Sequence, residues 1–134
     1  MFPDRTFEIE YHKKNAEKFL AEKNYDMARL SYFILVESVR QQNINTNGQL
    51  EDYLKQVEEA YANFVLIDPL YNNILKVILP LIREHPNILQ TELYKLVADY
   101  RKEDVSYTLF FADKHGRIER IKKGRTYSLS TKEN

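Results

Sequence analysis

Cysteine and tryptophan are absent from this chain of 134 residues, and glycine and proline are scarce, at three and four. Without cysteine there is no disulfide framework, no thiolate metal site and no thiol nucleophile, and nothing ties the chain to an oxidising compartment. A cytoplasmic setting is therefore expected. The shortage of glycine and proline argues against long flexible linkers. No stretch approaches the ~18 apolar residues of a membrane span, and the opening Met1-Phe2-Pro3-Asp4-Arg5 lacks the basic-then-apolar order of a secretory leader. A soluble, unprocessed chain with no membrane partner is expected.

Catalytic constellations are equally scarce. Gly48, Gly116 and Gly124 are isolated, so no glycine-rich loop cradles a phosphate, and none of the five serines sits in a Gly-x-Ser-x-Gly elbow. His12, His85 and His115 lie in separate segments without metal-ligand spacing. The acidic pairs Glu51-Asp52, Glu58-Glu59 and Glu103-Asp104 are sequence neighbours, which point in different directions on a helix and cannot jointly flank a substrate. No enzymatic activity, metal or cofactor is expected.

What the chain does have is apolar and aromatic mass: 43% hydrophobic residues, with 10 Tyr and 7 Phe. That suffices for one domain or two small ones. The net charge is zero but unevenly spread. Residues 1–68 carry 8 Lys/Arg against 12 Asp/Glu, whereas residues 101–134 carry 9 against 5. Only the basic end has an electrostatic case for a polyanionic partner.

The pattern from Thr6 to about Gln42 is helical, broken at Lys23-Asn24-Tyr25-Asp26, where Asn24 and Asp26 supply turn and cap chemistry. Ala16, Phe19, Leu20, Tyr25, Ala28, Tyr32 and Leu35 recur at helical spacing, and the two alanines allow close approach of the helices. The small, aromatic and turn positions Ala16, Phe19, Asn24-Tyr25, Ala28 and Tyr32 resemble one tetratricopeptide repeat. No second copy follows at that period, so a repeat array is excluded and a single helical hairpin remains. Gln41 to Gly48 reads as a polar loop, with Thr46-Asn47-Gly48-Gln49 spaced as a capping box for a third helix. That helix runs to about Leu66 and buries Leu50, Tyr53, Leu54, Val57, Tyr61, Phe64 and Val65. Asp68-Pro69 then reads as N-cap and first turn of the next helix, which sets a boundary between 1–68 and 69–134.

In the second half, Leu70 to about Glu84 predicts a helix buried through Ile74, Val77, Ile78, Leu81 and Ile82, with Pro80 kinking it or shifting its hydrogen bonding. His85-Pro86-Asn87-Ile88 ends it. A short helix follows over Leu89–Leu96, then a third over roughly Arg101–His115, stopped by Gly116 in a left-handed conformation. Arg117–Lys122 and Arg125–Ser130 read as strands of a hairpin turning at Lys123-Gly124. Lys132 and the final residues are expected to trail off.

Three helices and a basic hairpin, with Val105 to Leu109, Ala112, Gly116 and Ile118 in place, resemble the winged helix-turn-helix family. The expected fold class is therefore mainly α (α+β): an N-terminal three-helix bundle followed by a winged helix-turn-helix with a small β-hairpin wing. The resemblance implies a DNA-binding protein of transcriptional-regulator type, whose third helix enters the major groove while the wing touches the adjacent backbone or minor groove. On that helix Leu109 and Ala112 fall within about 40° of Val105, with Glu103, Tyr107, Phe110, Phe111 and Lys114 opposite. The candidate residues are Lys102, Ser106, Tyr107, Phe110, Phe111 and Lys114 on the helix, and Arg117, Arg120, Lys122, Lys123 and Arg125 on the wing. Of the outward stripe only Lys114 is a customary base reader, and Glu103 and Asp104 repel phosphate. The alternative is a non-catalytic adaptor that meets a protein partner through Tyr107, Phe110 and Phe111. In the leading reading the N-terminal helices serve dimerisation or partner recruitment; a further alternative is a partner-binding tetratricopeptide-like head with an incidental winged-helix tail.

Overall fold

The computed structural model describes residues 6–132. The chain is mainly helical, 69%, with a small three-stranded antiparallel sheet. It divides into two compact units, Met1–Asp68 and Pro69–Asn134. No single helix among the described residues is long and apolar enough to cross a membrane. The expectations for the opening Met1–Arg5 and for Glu133-Asn134 fall outside the described residues.

The first unit holds α1 (Thr6–Ala21), α2 (Tyr25–Asn45) and α3 (Glu51–Val65). Between α1 and α2 the chain turns through Lys23 at φ 59. Asn24 caps α2, its side chain accepting from the Met27 N–H. Ala16 and Ala28 are fully buried, as the small-residue contact of the hairpin requires. Both α1 and α3 pack on α2; Tyr32 of α2 stacks on Tyr61 and Phe64 of α3 with ring centroids 6.0 and 5.0 Å apart.

The expected loop and capping box after Gln41 are corrected by the structure. Helix α2 continues to Asn45, and Thr46 closes it, its hydroxyl donating to the Gln42 carbonyl at 2.9 Å. The N-cap of α3 is Leu50, which has no side-chain cap bond. Asn43 does the capping from a distance: its carboxamide oxygen accepts from the Leu50 N–H, and its nitrogen donates to Glu51, both at 2.8 Å. A tertiary bond thus replaces the local one.

One buried ion pair ends this unit. Asp68 is 0% exposed, and Arg29 reaches it with two parallel bonds, Nε to Oδ2 and Nη2 to Oδ1, each 2.7 Å. A planar guanidinium matched to a carboxylate is the strong form of such a contact.

The second unit holds α4 (Pro69–Glu84), β1 (Ile88–Leu89), α5 (Gln90–Leu96), α6 (Lys102–Lys114), β2 (Ile118–Lys123) and β3 (Thr126–Thr131). Helix α4 buries Tyr71, Ile74, Leu75, Ile78, Leu79 and Ile82, a stripe at helical spacing in which each isoleucine contributes roughly 1.5–3 kcal/mol of burial. Two expectations shift. Val77 is exposed and Leu81 only half-buried, and their places are taken by Tyr71, Leu75 and Leu79. The helix also continues through Pro80, whose own position is solvent-exposed, so the lost donor lies away from the core.

A third strand was not expected. Asn87 adopts φ 66 after α4, and the next two residues, Ile88 and Leu89, pair antiparallel with Leu129 and Ser128 instead of opening α5. The sheet order is β1-β3-β2. Ile88, Ile118 and Leu129 are buried, as are Val105, Leu109 and Ala112 of α6; β3 packs on α4 and α5, and β2 on α6.

Candidate nucleic-acid interface

The basic hairpin and the helix before it are joined by a defined corner. Gly116, at φ 75, takes the left-handed position after α6. The Arg117 N–H bonds the Ala112 carbonyl at 2.8 Å and the Gly116 N–H bonds the Asp113 carbonyl at 3.0 Å. This is the paired six-to-one and five-to-two closure of a Schellman motif. It aims the chain straight into β2, where Ile118 is fully buried.

In β2 and β3 the opposed pairs are Ile118 with Thr131, Arg120 with Leu129 and Lys122 with Tyr127, all on one face; Glu119, Ile121 and Lys123 lie on the other. Because Lys123 pairs with Thr126, the two-residue loop is Gly124-Arg125, one place later than the sequence suggested. Gly124 has φ 63 while Arg125 does not have positive φ, the order that a type II′ turn uses to match strand twist. Lys132 is also held, its N–H donating to the Arg117 carbonyl at 3.1 Å, so the looseness expected there is corrected.

The candidate cations separate into two groups. Lys102, Lys114, Arg117, Lys122, Lys123 and Arg125 are exposed. Of these, Lys122, Lys123 and Arg125 gather at the hairpin tip with no carboxylate between Arg120 and Ser128. Lys122 holds its ammonium over the Tyr127 ring at 5.4 Å, so its chain lies along the strand with its head at the surface. Arg120 belongs to neither the tip nor the solvent. Its side chain is 12% exposed, donates to Asp113 of α6 at 3.2 Å, and lies 4.4 Å from the Tyr127 ring centre and 5.6 Å from that of Phe110. The expectation that Arg120 contacts phosphate is corrected: it is bound on both sides by the protein and fastens hairpin to helix.

The aromatic stripe of α6 needs a similar correction. Phe111 is buried, not outward, and packs edge-on against both Tyr107 and Phe110 at 5.3 and 5.0 Å. Tyr107 and Ser106 are half-buried, and Phe110 remains 49% exposed. The helical wheel placed Phe111 at the edge of the outward arc, and the core reaches further round α6 than an arc centred on Val105 allows. Asp113 and Tyr127 were missed. The Asp113-to-Arg120 link spans a turn and a strand start, and no pattern of local spacing reveals it.

Two further features lie outside the hairpin. Burial pushes the Tyr71 phenol above its ordinary value, while Arg117 pulls it down in smaller measure. The Tyr71 hydroxyl has no hydrogen-bond partner among the described residues. In the first unit, a cleft of about 210 Å³ is walled by Lys13, Ala16 and Glu17 on one side and Tyr53, Gln56 and Val57 on the other. Among the described residues no group of three or more His, Asp or Glu is arranged to hold a metal ion.

No protein-family model, no curated protein and no solved structure matches this chain.

Proposed function

We propose that residues 69–134 form a winged helix-turn-helix module that binds double-stranded DNA through the β2–β3 hairpin, in a non-enzymatic protein of regulatory type. The carrying observation is the tip itself: Lys122, Lys123 and Arg125 are all exposed, uninterrupted by acid, and mounted on a turn anchored by Arg120. The order helix, short strand, helix, helix, hairpin supports the same reading.

Physically, each cation that neutralises a phosphate releases condensed counterions, so affinity falls steeply with salt. Helix α6 contributes less than the resemblance implies. Its exposed cations, Lys102 and Lys114, stand at its two ends, and Glu103 and Asp104 occupy its first turn. The reading is thus of backbone-dominated contact by the hairpin, with α6 setting its angle. The half-exposed Phe110 favours the adaptor alternative, in which this ring meets a protein partner.

The deciding experiment titrates the full chain against random-sequence duplex DNA over a range of salt, alongside a variant carrying Lys122→Ala, Lys123→Ala and Arg125→Ala. Steep salt dependence that flattens in the variant supports the proposal. Absence of binding at low salt refutes it in favour of a protein partner.

A further inference from the structure

Helix α2 has two faces of opposite character. Toward α1 and α3 it buries Ala28, Tyr32, Leu35, Val36 and Val39. On the far side, Met27, Leu30, Ile34, Glu37, Gln41 and Ile44 follow one another at alternating steps of three and four. That is the seam spacing of a coiled coil, and most of it is open to solvent: Met27 is 40% exposed, Leu30 49% and Ile44 64%, Glu37 and Gln41 are exposed, and Ile34 is half-buried. A helix of 21 residues needs only one apolar stripe to dock in its own unit. The second stripe has no use there.

We infer that this seam is a self-association surface, and that its occupant is α2 of a second copy of the chain, packed antiparallel. Charge and polarity select both partner and direction. In a parallel pair, layers would join like with like, setting Glu37 against Glu37 and Gln41 against Gln41, a repulsive and polar middle. In the antiparallel pair, with the two-fold axis between Ile34 and Glu37, Met27 meets Ile44, Leu30 meets Gln41 and Ile34 meets Glu37. Every layer then has an apolar member, and no carboxylate faces its own copy.

The flanking positions agree. Phe33 is half-exposed, and Arg40, half-exposed beside Glu37 and 3.5 Å from Glu58, lies one heptad further along the same edge. The same axis brings Phe33 of one copy opposite Arg40 of the other, twice, as a cation over a ring. The face therefore carries its own complement. This inference does not rest on nucleic-acid binding by residues 69–134.

The absence of native cysteine makes the test direct. In the full chain, Leu30→Cys combined with Gln41→Cys places two cross-linkable pairs in register across the axis. Either substitution alone leaves like positions 11 residues apart along the helices, about 16 Å, beyond disulfide reach. Mild oxidation should convert the double variant to a covalent dimer and leave each single variant uncross-linked. Sedimentation equilibrium of the unmodified chain should show a reversible monomer–dimer equilibrium. Leu30→Glu should raise its dissociation constant at least tenfold, with an unchanged far-ultraviolet circular dichroism spectrum confirming the fold. A chain that stays monomeric up to roughly 0.5 mM overturns the inference and leaves the face to another partner. Single variants that cross-link as readily as the double overturn the antiparallel pairing.

Discussion

Removing Arg29 should be the most damaging single truncation of a surface-reaching side chain in residues 1–68. The Arg29 side chain is 20% exposed and has a second carboxylate, Asp26, at 3.0 Å, whereas the Asp68 side chain is wholly buried. The two halves of the pair are thus unequal. Arg29→Ala removes the counterion of a wholly buried carboxylate, and breaking a buried pair in this way costs about 3–5 kcal/mol. Asp68→Asn leaves the guanidinium with Asp26 and partial access to water, at about 1–2 kcal/mol. Loss of 3–5 kcal/mol corresponds to a fall in melting temperature of roughly 11–18 °C for a chain of this size. Thermal unfolding followed by far-ultraviolet circular dichroism reads this directly. Adding Asp68→Asn to Arg29→Ala removes the buried charge, so the double variant should be more stable than Arg29→Ala alone. A fall of under about 2 °C for Arg29→Ala, or a double variant that simply sums the two losses, would refute the argument that desolvated charge sets the cost.

Other consequences are measurable. Replacing Lys122, Lys123 and Arg125 with Ala should lower the slope of log affinity against log salt by about 2.5–3, as three phosphate contacts require. Gly116→Ala meets no atom within 4 Å, so its cost is backbone strain alone at φ 75, about 1–2 kcal/mol in urea unfolding. Arg120→Ala frees the hairpin from Asp113 and Phe110 of α6, and hydrogen exchange of the β2–β3 amides should quicken by roughly tenfold or more while that of α4 changes little. Burial raises the phenols of Tyr32, Tyr61 and Tyr71 above the ordinary 10.0. A raised folded value means the native state favours the neutral phenol. The associated stability is complete below pH 10 and is lost as pH climbs through the folded values. Spectrophotometric titration should show these three tyrosines ionising late, and Tyr71→Phe should reduce the alkaline loss of stability.

How legible all this was in the sequence depended on the range of each interaction. The helical hairpin was readable because Ala16, Ala28 and Asn24 act through neighbours at spacings a helix imposes. The positions of Gly116 and Gly124 in turns were likewise legible, since only a few residues adopt that backbone readily. What failed was whatever a distant partner decides. Thr46 looked like the start of a helix and is the end of one, because Asn43 supplies the cap for α3. Ile88 and Leu89 carry too few residues to show strand alternation, and they become a strand only because Leu129 and Ser128 lie beside them. At the candidate interface the cationic tip was legible from composition, but Arg120 resembled its neighbours. Only the placement of Asp113, Phe110 and Tyr127 separates a fastening residue from a contact residue.

The central place of β3 in its sheet has a consequence for how the protein is made. Strand β1 finds its partner 41 residues further on, where the Ser128 hydroxyl bonds the Asn87 carbonyl. Pairing across so long a loop is slow, because its closure entropy is incurred before any contact offsets it. Residues 6–68, by contrast, pack helices that follow one another along the chain. During synthesis the first unit can close as soon as Asp68 reaches Arg29, whereas Ile88 and Ile118 wait with apolar surface uncovered until Leu129 has been added.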